Sequence, residues 1–131
     1  MRLEQVRDLS KPLDIELIAY GRLPLMVTEN CLSKGSTGTC ACDSVKHIRD
    51  RMGASFPVFK EFGCRSEILN SKKLFLADRW EDICRTGAWA ARLMFSTENA
   101  AECVRVMKSY MGLDDYVPSA FTRGLYYRGV E

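Results

Sequence analysis

The stretch Ile15-Glu16-Leu17-Ile18-Ala19 combines apolar and branched residues around a single glutamate, which is typical of a buried β-strand. A second strand of the same kind is predicted for residues 90–95, whose sequence is Ala-Ala-Arg-Leu-Met-Phe. A helical pattern precedes the second strand and another follows it. Because strands that alternate with helices pair in parallel, this order predicts an α/β fold.

Two amphipathic helices are predicted in the second half of the chain. The buried positions of the first are Leu76, Trp80, Ile83 and Cys84. Those of the second are Ala100, Cys103, Val104, Met107 and Met111. Gly87 and Gly112 are expected to end the two helices, and Thr97 to cap the start of the second. We therefore expect Cys84 and Cys103 to be core residues.

Between the two α/β strands lies a region with a different pattern, residues 21–75. Residues 45–49 and 56–62 are predicted to form a hairpin, and residues 66–69 a further short strand. We expect a β-rich insertion within a single domain that spans residues 1–131.

The insertion contains four of the six cysteines of the chain, which are Cys31, Cys40, Cys42 and Cys64. Thiolates are soft ligands that suit zinc, copper(I) and iron–sulfur clusters. The glycines at 35 and 38 allow the backbone to fold closely around such a centre. The pattern favours a four-cysteine metal or cluster site; buried thiols without a metal and disulfides are the alternatives.

Composition and charge place few limits on function. The net charge of +2 neither requires nor excludes RNA as a partner. No run approaches the ~18 apolar residues of a membrane span, and residues 1–5 lack a signal-peptide core, so a cytoplasmic protein without a membrane partner is expected. The only histidine, His47, lies in a predicted strand, so a histidine-based zinc protease site is not expected.

The order of several motifs resembles the collagenase-like peptidases, the family numbered U-thirty-two. The motifs include Gly21-Arg22-Leu23-Pro24-Leu25-Met26, Glu29-Asn30-Cys31, Phe56-Pro57-Val58, Gly63-Cys64-Arg65, Arg92-Leu93-Met94-Phe95-Ser96-Thr97-Glu98 and Phe121-Thr122-Arg123-Gly124. They cover nearly the whole chain in one order. The resemblance implies the last two βα units of a TIM-like barrel, carrying the β-rich, cysteine-bearing insertion.

The resemblance also implies chemistry. Members of the family are labelled proteases, and several are implicated in oxygen-independent hydroxylation of RNA bases or of a small aromatic quinone precursor. Those members carry a cysteine-bound 4Fe-4S cluster. By matching positions, Cys31, Cys40 and Cys64 are implied ligands, and Cys42 is the nearest candidate for the fourth because some members have cysteine where this chain has Pro24. Zinc is the alternative metal.

Three function classes follow: an iron–sulfur module of a hydroxylase-type enzyme, a protease, or a non-catalytic zinc-stabilised binding module. Arg92, Arg22 and Arg65 are candidate substrate-binding residues, because guanidinium binds carboxylate or phosphate in a bidentate manner. Ion pairs or surface positions are the alternative for these arginines. No catalytic residue is assigned. Because a full barrel needs eight units, we expect an incomplete barrel that is inactive alone and that associates with its missing N-terminal part or with itself.

Overall fold

A computed structural model describes residues 1–9, 13–40 and 44–128. Within these residues the chain divides into two compact units, Arg22–Ser71 and the combination of Met1–Gly21 with Lys72–Glu131. The strands are β1 (Glu16–Gly21), β2 (Pro24–Thr28), β3 (Lys46–Arg49), β4 (Ser55–Glu61), β5 (Arg65–Leu69), β6 (Lys73–Phe75), β7 (Ala90–Leu93) and β8 (Phe121–Thr122). The helices are α1 (Leu3–Asp8), α2 (Leu32–Thr37), α3 (Trp80–Arg85) and α4 (Ala100–Tyr110).

The unit that contains both chain ends is built on a mixed sheet with the strand order β7-β1-β6-β8. The two strands predicted from apolar patterning, β1 and β7, are parallel neighbours with Glu16 opposite Ala90, which confirms their predicted pairing. β6 runs antiparallel to β1, whereas β8 runs parallel to β6. A TIM barrel has only parallel neighbours, so the antiparallel β6 distinguishes this sheet from a simple pair of barrel units. The barrel fragment stays a prediction.

The core of this unit is aromatic. Tyr20, Phe75 and Val106 are buried together, and the Tyr20 and Phe75 rings meet edge to face with centroids 6.5 Å apart. Tyr110 of α4 packs against both rings, and its hydroxyl donates to the carbonyl of Ala19 at 2.6 Å. These contacts attach α4 to the C-terminal end of β1.

The predicted buried stripe of α4 is wrong. Val106 is its buried residue, whereas Val104, Met107 and Met111 are 44%, 41% and 70% exposed. The spacing of apolar residues shows that a helix has an apolar face, but it does not show whether another element covers that face. The expected core position of Cys84 is also wrong, since Cys84 is exposed on α3, and Cys103 is only half-buried.

The start of α4 also differs from the prediction. Asn99, not Thr97, is the N-cap, and its side chain accepts from the backbone N–H of Glu102 at 2.9 Å while Glu102 accepts from the N–H of Asn99. The N–H of Thr97 instead donates to Glu98 Oε2 at 3.0 Å, so Thr97 belongs to the preceding turn. The two predicted stops are confirmed, because Gly87 and Gly112 adopt positive φ just after α3 and α4.

The second unit is an antiparallel sheet with the strand order β2-β5-β4-β3. The predicted strands at residues 45–49, 56–62 and 66–69 agree with β3, β4 and β5 to within one residue. β2 was not predicted, because its sequence begins with Pro24 and continues with three consecutive apolar residues instead of alternating. The unit Arg22–Ser71 occupies most of the predicted insertion at residues 21–75.

Across the described residues, no helix has both the length and the apolar character that a bilayer span requires.

Candidate metal centre

Cys31 occupies the start of α2, directly beyond the end of β2. It is the N-cap of this short helix, and its Sγ accepts a hydrogen bond from the backbone N–H of Lys34 at 3.4 Å. A shallow, open depression beside Cys31 is lined by Asn30, Leu32, Lys34 and Gly35. The sulfur therefore lies at the surface, in contact with a polar backbone group.

Cys40 is brought back to Cys31 by the turn that ends α2. Gly38 adopts a left-handed conformation with φ of 75°, and its N–H donates to the carbonyl of Lys34 at 2.9 Å. The Sγ atoms of Cys31 and Cys40 are then 3.8 Å apart. The structure thus places two of the four candidate ligands side by side.

Cys64 lies at the same end of the antiparallel sheet as Cys31. It precedes β5, which pairs with β2 so that Ser66 lies opposite Thr28. Next to it, Arg65 Nε is 3.0 Å from Glu29 Oε1, and Ser66 Oγ accepts from the N–H of Leu32 at 3.3 Å. These links join the segment that carries Cys64 to the segment that carries Cys31.

The backbone of Cys64 is unusual. Its φ is +64°, a left-handed value that non-glycine residues rarely adopt, and Gly63 before it has φ of +72°. Strained conformations of this kind cost on the order of 1–3 kcal/mol and concentrate at binding and catalytic sites. The exposed Cys64 thiol therefore lies in a turn with two consecutive left-handed residues.

The fourth candidate ligand, Cys42, lies outside the described residues. Among the residues that are described, no group of three or more histidine, cysteine, aspartate or glutamate side chains is close enough to hold a metal ion. The structure thus places two candidate thiols together and a third at the same sheet end. It does not assemble a complete ligand set.

Each of the three candidate substrate-binding arginines forms a hydrogen bond or an ion pair within the chain. Arg22 donates to the carbonyl of Asn70 at 2.8 Å and to that of Ser71. Arg65 pairs with Glu29, as described above. Arg92 Nε is 2.7 Å from Glu16 Oε1 on the adjacent parallel strand, which is the ion-pair alternative considered from the sequence. Substrate binding by these residues stays a prediction.

Sequence reasoning missed a buried ionic cluster at the C-terminal end of β1. The Lys73 side chain is only 12% exposed, and its Nζ is 2.9 Å from Glu98 Oε1 and 3.5 Å from Glu102 Oε1. The hydroxyl of Tyr20 donates to the same Glu98 oxygen at 3.1 Å. No local pattern indicated this cluster, because Lys73 and the two glutamates are far apart in sequence.

The charges of this cluster shift two pKa values. Burial raises the pKa of Glu98, but the N–H of Ser96 and the Lys73 ammonium outweigh it, so that the pKa of Glu98 lies below its usual value. Burial, and then the negative charge of Glu98, raise the pKa of Tyr20. The cluster therefore contains an ionised Glu98 and a protonated Tyr20, an arrangement that stabilises the sheet end.

Comparison of the chain with protein-family models, with curated proteins and with solved structures found no match.

Proposed function

We propose that the chain holds a metal centre through Cys31, Cys40, Cys64 and Cys42, and that this centre is a 4Fe-4S cluster. The observation that carries the metal centre is the 3.8 Å separation of the Cys31 and Cys40 sulfurs, with Cys64 at the same end of the sheet. The choice of a 4Fe-4S cluster rests on the resemblance to the collagenase-like peptidases. Thiolate sulfur suits iron–sulfur clusters and zinc better than it suits magnesium or calcium. A 4Fe-4S cluster supplies electron transfer when bound.

The local chemistry of the thiols fits this use. A metal-bound cysteine is a thiolate, and the N–H of Lys34 donates to Cys31 Sγ, which favours the negatively charged form. The helix between the two thiols contains Gly35, where an added Cβ would meet nothing within 4 Å. The Gly35 side of α2 is therefore open to solvent.

Zinc is the second candidate, and one distance favours it. In a tetrahedral site with Zn–S bonds of about 2.3 Å, two sulfurs on the same ion are about 3.8 Å apart. Cys31 and Cys40 have this separation. In a 4Fe-4S cluster each cysteine binds a different iron, so the two sulfurs would have to separate further. A zinc centre would make the unit Arg22–Ser71 a metal-stabilised binding module.

The resemblance to the collagenase-like peptidases supports the wider assignment. We propose an iron–sulfur module of an oxygen-independent hydroxylase-type enzyme that acts on RNA or on a small aromatic compound in a reducing, cytoplasmic setting. Proteolysis is the alternative that the family label offers. The only histidine, His47, is exposed on β3, and no described hydrogen bond joins it to a serine or cysteine nucleophile.

Association with other polypeptide belongs to the same proposal. β7 is an edge strand of its sheet, with β1 as its neighbour on one side, and an open edge can accept a further strand. The next element in the chain, α4, also has an exposed apolar face. We propose that the chain acts together with the earlier part of a barrel or with a second copy, and is inactive alone.

Metal analysis of anaerobically purified chain tests the centre directly. We expect iron with acid-labile sulfide and a brown colour if the cluster is present, or one equivalent of zinc if the alternative holds. Cys31→Ser, Cys40→Ser and Cys64→Ser should each lose the metal. Cys84→Ser, which changes an exposed cysteine on α3, is the matched control and should retain it. Protein that contains neither iron nor zinc, or that loses its metal only in Cys84→Ser, would contradict the proposal.

A further inference from the structure

We infer that Cys31 and Cys40 are also a redox pair, which closes to a disulfide when the centre is not bound and thereby blocks its assembly. The regulatory part of this inference rests on the proposed metal centre. The formation of the disulfide rests on geometry alone.

The distance makes the bond accessible without refolding. The two sulfurs are 3.8 Å apart, and a disulfide bond is about 2.05 Å long, so each sulfur has to move by about 1 Å. Rotation about the side-chain torsions of two surface residues can supply that movement, because Cys40 is exposed and Cys31 is partly exposed. The left-handed Gly38 ends α2, and Cys40 lies two residues beyond it.

The exposure of the two thiols sets the order of the reaction. The oxidant we name is a small-molecule disulfide, such as glutathione disulfide. The Cys40 thiolate, which is the more exposed, attacks one sulfur of the oxidant and displaces one small thiol, leaving a mixed disulfide on Cys40. The Cys31 thiolate then attacks Cys40 Sγ and displaces the second small thiol.

The products balance. Two protein thiols are oxidised to one disulfide, one small disulfide is reduced to two thiols, and the two protons lost by the cysteines end on the two small thiols. The N–H that donates to Cys31 Sγ stabilises the thiolate needed for the second step. A reductant of the dithiol class reverses both steps.

Closure of the pair removes two of the proposed ligands at once. A disulfide sulfur has no negative charge to offer a metal, so Cys64 and Cys42 alone could not complete a four-sulfur site. Conversely, a bound centre keeps both thiolates occupied and protects them from the oxidant. The centre and the disulfide are therefore mutually exclusive states of the same loop.

The test uses the full chain, reduced and stripped of metal, and exposed to glutathione disulfide. Non-reducing peptide mapping by mass spectrometry should find the Cys31–Cys40 linkage as the main product. Cys31→Ser should stop at a mixed disulfide on Cys40, whereas the control Cys84→Ser should form the same linkage as the parent chain. A main linkage to Cys64 or Cys42, or glutathione that remains on Cys40 in the parent chain, would overturn the pair.

Metal uptake separates this inference from the proposed function. The oxidised chain should lose its uptake of zinc or reconstituted iron and regain it after treatment with dithiothreitol, and chain loaded with metal beforehand should resist linkage. If the linkage forms but the reduced chain binds no metal, the proposed function fails and the thiol pair stands. If the oxidised chain still binds metal as the reduced chain does, the regulatory inference fails while the metal centre stands.

Discussion

Lys73 Nζ lies 2.9 Å from Glu98 Oε1, and the Glu98 side chain is completely buried. The pair joins the start of β6 to the turn before α4, at the end of the sheet where β1 also finishes. Glu98 Oε2 accepts in addition from the N–H groups of Ser96 and Thr97. These donors together offset the free-energy cost of burying the Glu98 charge. Removal of one donor leaves part of that cost uncompensated and should destabilise the fold.

Lys73→Met should therefore be strongly destabilising. The substitution keeps the apolar stem but leaves Glu98 buried without its cation, and breaking one side of a buried pair costs about 3 kcal/mol or more. Urea unfolding followed by circular dichroism measures the loss. Lys108→Met, at an exposed position on α4, is the matched control and should change stability by less than about 0.5 kcal/mol. Equal effects of the two substitutions would mean that the pair contributes nothing specific.

The same pair predicts a dependence of stability on pH. The pKa of Glu98 is lower in the folded chain than the ordinary value of 4.5, so its ionised form stabilises the fold above about pH 4.5. This contribution is lost as the pH falls through the folded pKa. Glu98→Gln cannot titrate, and its deficit relative to the parent chain should shrink on acidification below 4.5. Unfolding free energies at a series of pH values test this, and a deficit that grows on acidification would have the wrong sign.

The sequence predicted those parts of the fold that depend on residues close together in the chain. The strand that begins at Glu16 and the hairpin of β3 and β4 follow from apolar runs and turn residues, and both were predicted. The exposure of Met107 was not, because periodicity gives the apolar face of a helix but not its neighbour. The ion pair of Lys73 was not predicted either, because its partner Glu98 is distant in sequence.

The candidate site shows the same limit. The clustering of cysteines predicted a common site, and the return of Cys40 to Cys31 requires only the local turn at Gly38. The placement of Cys64 depends on the register of β5 against β2, which no sequence pattern specified. The ion pairs of the candidate arginines were foreseen only as an alternative, because a guanidinium on a strand is equally suited to a substrate and to a carboxylate on the next strand.

Tyr110 and Tyr126 provide a graded test of buried hydrogen bonds. The Tyr110 hydroxyl accepts from the N–H of Leu76 at 2.8 Å and donates to the carbonyl of Ala19 at 2.6 Å, whereas the Tyr126 hydroxyl makes one bond, to Ile18 at 2.8 Å. Tyr110→Phe should cost about 2 kcal/mol, because it leaves two buried backbone groups without this partner. Tyr126→Phe should cost about 1 kcal/mol. Chemical denaturation ranks the two, and a larger loss for Tyr126→Phe would contradict the assignment.

Gly21 and Gly35 should respond to alanine with opposite signs. Gly21 has φ of +119°, and a Cβ there would collide with the backbone of Met94, so Gly21→Ala should cost about 3 kcal/mol or more. Gly35 lies inside α2 with open space around the Cβ position, so Gly35→Ala should stabilise the helix by about 0.5–1 kcal/mol. Thermal unfolding of the two variants distinguishes the effects. A tolerated Gly21→Ala would show that the close approach to Met94 is not needed.

The exposed apolar face of α4 should determine the proposed self-association. Val104, Met107 and Met111 lie on one side of the helix, and contact between such faces removes apolar surface from water at about 25 cal/mol per Å². Met107→Lys places a charge in the middle of this face, near the C-terminal end of the helix, where the helix dipole favours a cation. The variant should remain folded and become monomeric at concentrations where the parent chain associates, as measured by sedimentation velocity. Met52→Lys makes the same chemical change at the tip of the β3–β4 hairpin, where the side chain is 91% exposed, and should leave association unchanged. If Met52→Lys dissociates the chain and Met107→Lys does not, the contact lies on the antiparallel sheet and not on α4.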